Sequence, residues 1–542
     1  MPRTDAGFNA CKSLTVINDL IPIYGEAFLR YVLAVDDTPL GGSALDNHQR
    51  EIAEALRNLA FSLGSNDAQF DQYSRLASLG QWHQDRQTSL PNTFRLHCGG
   101  ALPALSGSDD PLVAALQIIA RDAWPSLLIP APKEGAPTFW SSTPLVAFEH
   151  PQTTIAANAF LADEDLRRLY PHAPTDSEID REEALRLSSY WITGLGGMAH
   201  HELLPLTGLL ITNARLWGLV ERGEDNFEAL IEALPKVVAA VRSLASGETV
   251  DVPYLAGLRG AEFHPEVEIK LSNGLLQSPR EIDRSFLLPE AEDVTAVLIG
   301  SYPLRLLGIE PKLSDSAMPD FSRHWRDLQL DHLRSERVLD LTRLSVLMAS
   351  PPGNTWGLSR ISSLIVDPTA AGGSPRRVSY EDNARSGKID SAGAERAASW
   401  WPRLRDELPD SLDIAMRRAL SAAGRRSDPV DGFVDSVIAW ENCFGTEQET
   451  TFRVTGAIAA LLEPDSLERR IDLLKQLKDL YGKRSRVVHG AIHLSPDEAY
   501  ALRDEALGIA VRCLRALLDK RPDLLAMDSA QRSTHVMLGQ TI

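Results

Sequence analysis

The feature that most constrains the fold is a series of helix-start signals in the last third of the chain. Asp428-Pro429 places a capping side chain before a proline at a first helical position. Asp465-Ser466-Leu467-Glu468 and Ser495-Pro496-Asp497-Glu498 each resemble a capping box. Gly445 is expected to end the first of these helices. Short connections between amphipathic helices predict an antiparallel bundle.

Each of the three helices carries one apolar stripe at helical spacing, which predicts the side chains that pack in the core of the bundle. These side chains are Phe433, Val437, Trp440 and Phe444 in the first helix, Leu467, Ile471, Leu474 and Leu477 in the second, and Ala499, Leu502, Ala506, Ile509, Cys513 and Leu517 in the third.

A basic segment, Leu480–Gly490, ends the second helix and contains three cations and one histidine. Arginine can stabilise a phosphorane, and histidine can move the protons that phosphodiester cleavage requires. On a continuous helix Arg484 and His489 would lie roughly 140° apart, whereas Arg486 and His489 would share a face. Convergence of Arg484 and His489 on one phosphate therefore requires a deformed helix, or a second copy that supplies one partner. Gly490 gives the chain a place to leave the helix.

Before Glu395 the sequence alternates between helical and strand patterns. Helical spacing is shown by Leu45, Ile52, Leu56, Leu59 and Leu63, with Ser43 as a possible cap, and by Phe227, Leu230, Ile231, Leu234, Val238 and Val241. Pro235 is expected to kink or interrupt the second of these helices. A long helix is predicted from about Phe321 to Met348 and is ended by Pro351-Pro352.

Strands are predicted at Leu145–Phe148, Val267–Leu271 and Ile361–Val366. The second of them leads into Asn273-Gly274, which is a strong hairpin signal. The least charged long run is Trp191–Asn213, but its histidines, glycines, Glu202 and Pro205 do not suit a membrane span. We expect a buried helical hairpin there.

At 542 residues the chain is longer than one ordinary domain. The predicted fold class is α+β, mainly α, with a large mixed α/β N-terminal region followed by a C-terminal antiparallel helical bundle. The expected boundaries are 1–320 for the mixed region, which could contain two domains, 321–394 for a connecting helix and strand, 395–522 for the bundle and 523–542 for a tail.

The net charge of −19 argues against a general polyanion-binding surface. Ser411–Lys520, however, holds 16 Lys and Arg against 17 Asp and Glu, so any nucleic acid would bind locally, and DNA is not expected. The cysteines have no short mutual spacing, which disfavours a zinc cluster or a disulfide framework and favours reduced thiols. The beginning of the sequence lacks a signal-peptide pattern. We expect a cytoplasmic protein without a membrane partner.

The region from about Leu344 to Leu518 resembles proteins that end in an ApeA-like HEPN domain. Phe433–Glu441 stands where such domains carry a helix ending in a Leu-Glu or similar pair. Arg484, four intervening residues and His489 fit the HEPN arginine–histidine motif. The resemblance covers about a third of the chain, and it departs from the family at Trp440, where an aliphatic residue is common.

This resemblance implies a homodimer of helical bundles and a metal-independent endoribonuclease without a cofactor, working in antiphage defence or as a toxin in a stress response. His489 would handle protons, and Arg484 would bind the scissile phosphate of an RNA, with tRNA and mRNA both open as targets. The implied products are a 2′,3′-cyclic phosphate and a 5′-hydroxyl. Ser485 and Arg486 are supporting site candidates, and Glu441 could orient the cluster. The extra N-terminal residues would then sense a trigger or restrain the nuclease.

Other interpretations stay open. Arg484 could form a salt bridge within the bundle while His489 caps a helix end, so that the bundle only dimerises or binds RNA. Glu441 could pair with an arginine for stability alone. His200-His201-Glu202 invites a metal site, but adjacent histidines point in different directions, and a metalloprotease pattern would need a histidine at Pro205. Trp400-Trp401 and Arg425-Arg426 could touch RNA, although a core edge and a solvated loop explain them better.

Overall fold

A computed structural model describes the backbone of residues 16–35, 40, 45–62, 79, 82–83, 87–129, 150–175, 178–195, 198–272, 274–281, 283, 287, 293–311, 325–370, 374–377, 387–446 and 450–539. The chain divides into two compact units, and each is built from more than one segment. The first comprises Met1–Pro253, Tyr302–Gln329 and Ile365–Ser374, and the second comprises Tyr254–Ser301, Leu330–Leu364 and Pro375–Ile542.

The first unit is mainly helical. Its helices include α1 (Glu26–Val32), α2 (Asn47–Ser62), α3 (Leu90–His97), α4 (Pro111–Leu127), α5 (Gln152–Ala162), α6 (Glu164–Arg167), α7 (Arg181–Arg186), α8 (Leu206–Arg222) and α9 (Phe227–Ala245). Its strands are β1 (Trp82–His83), β2 (Thr88–Ser89), β3 (Ser188–Thr193) and β4 (Met198–Glu202). The predicted strand at Leu145–Phe148 and the predicted cap Ser43 lie outside the described residues.

The predicted helical hairpin at Trp191–Asn213 is wrong. Its first half forms strands β3 and β4, which pair antiparallel with Trp191 opposite Ala199, and only its second half enters helix α8. Tyr190, Trp191 and Ile192 are aromatic or β-branched residues that favour a pleated, half-buried surface. The low charge of this segment indicated burial correctly, but charge does not distinguish a strand from a helix.

Pro235 does not interrupt helix α9, which continues from Phe227 to Ala245. Leu234, directly before Pro235, and Val237, two residues after it, are both fully buried. Packing of this face therefore outweighs the roughly 3 kcal/mol that a proline costs inside a helix.

A buried polar network joins helices α3 and α4 in the first unit. The Asp122 carboxylate, 2% exposed, accepts hydrogen bonds from Thr88 Oγ1 at 2.5 Å, Asn92 Nδ2 at 2.8 Å and His150 Nε2 at 3.2 Å. Burial by itself would raise the pKa of Asp122, but these hydrogen bonds lower it below the ordinary value of 3.8. The charged carboxylate is therefore the form that the fold stabilises.

We expect Asp122→Asn to lower the free energy of unfolding by about 1.5–3 kcal/mol at neutral pH, the usual value of hydrogen bonds to a charged group. Because the pKa is lower in the folded state, this stabilisation is complete above the unfolded pKa and is lost as the pH falls through the folded one. Denaturant unfolding between pH 6 and pH 2 measures it. A difference between wild type and variant that does not shrink below about pH 4 would contradict the role of the charge.

The second unit contains a sheet and the C-terminal helices. Strands β5 (Thr249–Gly260), β9 (Ala296–Pro311), β10 (Leu358–Ile365) and β11 (Ser374–Arg377) each contain residues of both units. The remaining strands are β6 (Glu262–Phe263), β7 (Glu268–Leu271), β8 (Gly274–Gln277) and β12 (Lys388–Ile389). The helices are α10 (Trp325–Ala349), α11 (Ser391–Glu407), α12 (Asp413–Leu420), α13 (Pro429–Phe444), α14 (Thr450–Leu462), α15 (Leu467–Val488), α16 (Pro496–Asp519) and α17 (Ser529–Leu538).

Several predictions for this unit are confirmed. Strands β7 and β8 form the expected hairpin, with Leu271 opposite Gly274, and β10 and α10 lie where a strand and a long helix were predicted. The caps also agree: Asp428 caps α13, and Ser495 forms a capping box with Glu498 at the start of α16. The coarse class, α+β and mainly α with an antiparallel sheet and a C-terminal helical region, is confirmed as well.

The core face of α15 differs from the prediction. Of the four predicted residues, Leu477 is fully buried and Leu474 packs against the core, whereas Leu467 and Ile471 are 69% and 43% exposed. The other buried residues are Leu473, Leu480 and Tyr481. Both stripes have helical spacing, so spacing alone could not decide between them. The face of α15 that carries Leu473 is buried because it packs against the hydrophobic cluster that contains Trp440 and Leu514.

The segment expected to be a C-terminal tail contains helix α17, which begins with a capping box formed by Asp528 and Gln531. The fully buried Arg532 donates hydrogen bonds to the carbonyl oxygens of Cys443 and Leu524 and to Ser411 Oγ. These bonds tie α17 to the other helices of the second unit.

Candidate functional site

Two helices position the candidate site in the second unit. Helix α13 begins at Pro429, after its cap Asp428, and brings Glu441 to its last turn. Helix α15 begins after its cap Ser466 and carries Arg484 and Ser485 near its C-terminal end. The capping box expected at Asp465–Glu468 is present only as the Ser466 cap, which accepts from the backbone N–H of Arg469.

The end of α15 is a regular helix stop. His489 is the C-cap residue, with φ −86° and ψ 5°, and its backbone N–H donates to the Ser485 carbonyl. Gly490 has φ +69° and donates to Val487, while Ala491 donates to Arg486, which is the Schellman arrangement. The prediction that the chain leaves the helix at Gly490 is confirmed. Because α15 continues without deformation to Val488, five helical residues keep Arg484 and His489 about 140° apart.

Glu441 binds two side chains of α15 at once. Its Oε1 accepts from the Tyr481 hydroxyl at 2.5 Å, and its Oε2 lies 3.5 Å from Arg484 Nη2. The Glu441 and Arg484 side chains are 23% and 22% exposed, so this ion pair is only partly desolvated. Arg484 Nε is buried and has no hydrogen-bond partner among the described residues. Glu441 thus holds the guanidinium through Nη2, while the buried Nε has no acceptor among the described residues.

Tyr481 belongs to this site, although no role had been predicted for it. Burial, followed by the hydrogen bond and the charge of Glu441, raises the pKa of its hydroxyl well above the ordinary value of 10.0. The phenol therefore stays protonated and donates to the carboxylate. Its position three residues before Arg484 places both side chains on neighbouring parts of one helix face, which is the signal that could have indicated it.

The other predicted residues lie around the end of α15 and do not join this cluster through hydrogen bonds. His489 and Arg486 are exposed and Ser485 is half-buried. In the described part of the chain, the side chains of these three residues make no hydrogen bond or ion pair. His489 is accordingly not sealed in apolar packing, a condition that catalysis at this residue requires.

The other motifs have structural explanations. His200 contacts the ring of Tyr190, whereas His201 packs 4.0 Å from the ring of Trp191, so the two histidines point to opposite faces of β4. Burial, with His200 as the lesser cause, lowers the pKa of His201 to about 3. Neither histidine converges with two further metal-ligating side chains within the described residues.

Trp401 and Arg426 are also explained by the fold. Trp401 is 3% exposed and donates through its indole N–H to Ser272 Oγ at 2.9 Å. Arg426 pairs with the buried Asp435 at 2.9 Å. The core edge expected at Trp400-Trp401 is thus confirmed. Arg426 lies in the loop before α13, as expected, with a 40% exposed side chain that this ion pair also holds.

Gly490 and Gly482 form a matched pair for testing the end of α15. A Cβ at either position would meet no atom within 4 Å, but only Gly490 has a positive φ. We expect Gly490→Ala to destabilise the chain by about 1–2 kcal/mol, the cost of the left-handed conformation, and Gly482→Ala to stabilise it by roughly 0.5–1 kcal/mol. Denaturant unfolding of both variants measures this. Equal shifts in the same direction would contradict the helix stop at His489.

Comparisons with protein-family models, with curated proteins and with solved structures found no match. Among the described helices, none is long and apolar enough to cross a lipid bilayer. The three described cysteines, Cys98, Cys443 and Cys513, carry free thiols. The site must therefore be interpreted from its own geometry.

Proposed function

We propose that the C-terminal helices form a metal-independent endoribonuclease of the HEPN type, which acts as a homodimer in antiphage defence or as a toxin-like stress effector. One observation carries the proposal: Glu441 holds Arg484 from the neighbouring helix, while His489, at the end of the same helix as Arg484, is exposed and unpaired among the described residues. A fixed cation and an accessible acid–base group are what RNA cleavage needs.

The proposed reaction is an internal transfer. The ribose 2′-oxygen attacks the adjacent phosphorus, the bond from phosphorus to the 5′-oxygen breaks, and a 2′,3′-cyclic phosphate and a 5′-hydroxyl result. His489 removes the proton of the 2′-hydroxyl or delivers one to the leaving oxygen. Arg484 stabilises the charge on the phosphorane with donors that Glu441 does not use. No water is consumed, and no metal or other cofactor is required.

A second copy of the chain would complete the site. The roughly 140° between Arg484 and His489 on an unbroken helix disfavours their joint action on one phosphate from the same copy. Val488, next to His489, is 52% exposed, and Ile471 and Phe452 on this helix and its neighbour are also exposed. A two-fold partner that packs around Val488, at the end of α15, would bring the Arg484 of one copy towards the His489 of the other.

An alternative function also has an observation in its favour. The Glu441 carboxylate already compensates the charge of Arg484 and accepts from Tyr481, as in a pair whose only role is to join α13 to α15. The bundle would then dimerise or bind RNA without cleaving it. Arg486 would supply a phosphate contact in either function.

The test is incubation of the purified full-length chain with total RNA in the presence of EDTA. We expect the RNA to be cleaved. The 2′,3′-cyclic phosphate and 5′-hydroxyl ends are identified because they resist ligation until they are repaired. Binding of RNA without cleavage would instead support the alternative function. Cleavage that occurs without EDTA but not in its presence would contradict a metal-independent reaction.

A further inference from the structure

Two histidines and a glutamate converge on the surface of the first unit. His48 and Glu51 lie in the first turns of α2, and His97 is the last residue of α3. His48 Nδ1 is 3.3 Å from His97 Nε2, and Glu51 Oε2 is 3.1 Å from His97 Nε2 and 3.9 Å from His48 Nδ1. Each of the three can offer one ligand atom to the same point.

These distances fit the coordination of a small divalent ion. A circle through the three atoms has a radius of about 2.0 Å, so a point exists at that distance from all three. Zinc binds histidine nitrogen and carboxylate oxygen at about 2.0–2.2 Å. The two imidazole centroids are 4.8 Å apart with an interplanar angle of 88°, which lets the two nitrogens approach one position without ring overlap.

Hydrogen bonds alone explain the cluster poorly. A neutral imidazole nitrogen either donates or accepts. If His97 Nε2 donates to Glu51, its proton cannot also serve the contact with His48; if it accepts from His48, its lone pair faces the carboxylate oxygen at 3.1 Å. Neither tautomer of the neutral His97 ring thus gives both close contacts a full hydrogen bond of their own. A cation at the shared point makes all three atoms favourable partners.

We propose that His48, Glu51 and His97 form a binding site for a divalent transition-metal ion of the zinc class. Imidazole ligands suit zinc, copper and nickel, whereas magnesium and calcium prefer oxygen. Two histidines and one carboxylate leave the ion a further position for water or another group. His97 stands at the C-terminal end of α3, where the helix dipole favours a cation.

The ion would connect α2 to α3 across 49 positions of sequence, from His48 to His97. The three side chains are 63%, 66% and 44% exposed, in the order His48, Glu51, His97, so an ion can reach the site from solvent. The proposal does not depend on the ribonuclease activity, because the two sites lie in different units.

The experiment uses the full-length chain, stripped with EDTA and then freed of EDTA. Zn²⁺ is titrated by calorimetry, and Co²⁺ is added separately to record its ligand-field absorption. We expect one equivalent to bind, at least about 100-fold more weakly in His48→Ala and His97→Ala and at least about tenfold more weakly in Glu51→Gln, since loss of even a partner behind a ligand costs 10–100-fold. His172→Ala, an exposed histidine of the same unit, should bind as wild type does, and Mg²⁺ should not compete.

Circular dichroism and the Tm of each metal-free variant verify that it is folded, as expected for exposed positions. Should an alanine variant fail to fold, Glu51→Gln keeps the shape of the side chain and still tests the site. Zinc affinity unchanged in both histidine variants would overturn the proposal, and so would a wild-type chain that binds neither Zn²⁺ nor Co²⁺. These measurements involve no RNA, so their outcome is separate from that of the cleavage assay.

Discussion

Arg484→Ala and His489→Ala should each reduce RNA cleavage by at least about 100-fold, because a general acid–base group alone contributes about 10²–10⁴-fold. The rate of RNA cleavage in EDTA measures the loss. His489→Ala should leave the Tm unchanged, since the side chain is exposed. Arg484→Ala removes a partly solvated ion pair with Glu441, so we expect a loss of only about 1 kcal/mol in unfolding free energy.

Two variants of similar chemistry serve as controls. His493→Ala removes an exposed histidine four residues after His489, and Arg469→Ala removes an exposed arginine from the start of the same helix. Both should cleave as wild type does. Cleavage that survives Arg484→Ala and His489→Ala would show that the activity resides elsewhere.

Mixing the two inactive variants tests whether Arg484 and His489 act from different copies. A mixed dimer has one site with both residues intact and one with neither. Since half of randomly formed dimers are mixed, and each has one of its two sites intact, activity should return to about a quarter of wild type. No recovery after the subunits have exchanged would place both residues in the same copy, and would require the helix end to deform when RNA binds.

Trp440→Ala should destabilise the second unit by about 3–5 kcal/mol, the usual cost of truncating a large buried aromatic residue. Trp440 is fully buried, and its indole N–H donates to the Ala506 carbonyl of α16 at 3.0 Å. Denaturant unfolding followed by circular dichroism measures the change. The cavity left by the truncated Trp440 side chain would lie between α13 and α16, and position 440 directly precedes Glu441 in the sequence.

Trp440→Phe is the matched control. It keeps an aromatic side chain in the core but loses the hydrogen bond and part of the volume, so we expect a smaller loss of about 1–2 kcal/mol. Equal effects of the two substitutions would mean that the hydrogen bond to Ala506, rather than packing, dominates. A loss below about 1 kcal/mol for Trp440→Ala would contradict the burial of this side chain.

Local signals were predicted well because their cause is local. A cap such as Asp428 or Ser495 bonds to a backbone N–H two or three residues further on, so the sequence around it contains the whole interaction. The hairpin at Gly274 and the helix stop at Gly490 are similar, because a short turn or a positive φ is specified by the residues that adopt it.

The features that could not be predicted from the sequence depend on contacts between residues that lie far apart along the chain. The buried face of α15 was predicted correctly at Leu477 but wrongly at Leu467, because stripes that include Leu467 or Leu473 have similar spacing, and only the neighbouring helices decide which is covered. Strands β3 and β4 were mistaken for a helix because low charge signals burial and not backbone type. The convergence of His48 with His97 has no sequence signal, since neither lies in a recognisable ligand motif.

The sequence by itself determined where α13, α15 and α16 begin, where α13 and α15 end, and that Arg484 and His489 stand at the end of α15. Only the tertiary structure decided that Glu441 binds both Tyr481 and Arg484, that His489 stays exposed, and that Trp440 is hydrogen-bonded to α16 in the core. The physical reason is the range of the interactions. Caps and turns form within a few residues, whereas the partner of a side chain on a helix depends on which of its faces the rest of the fold covers.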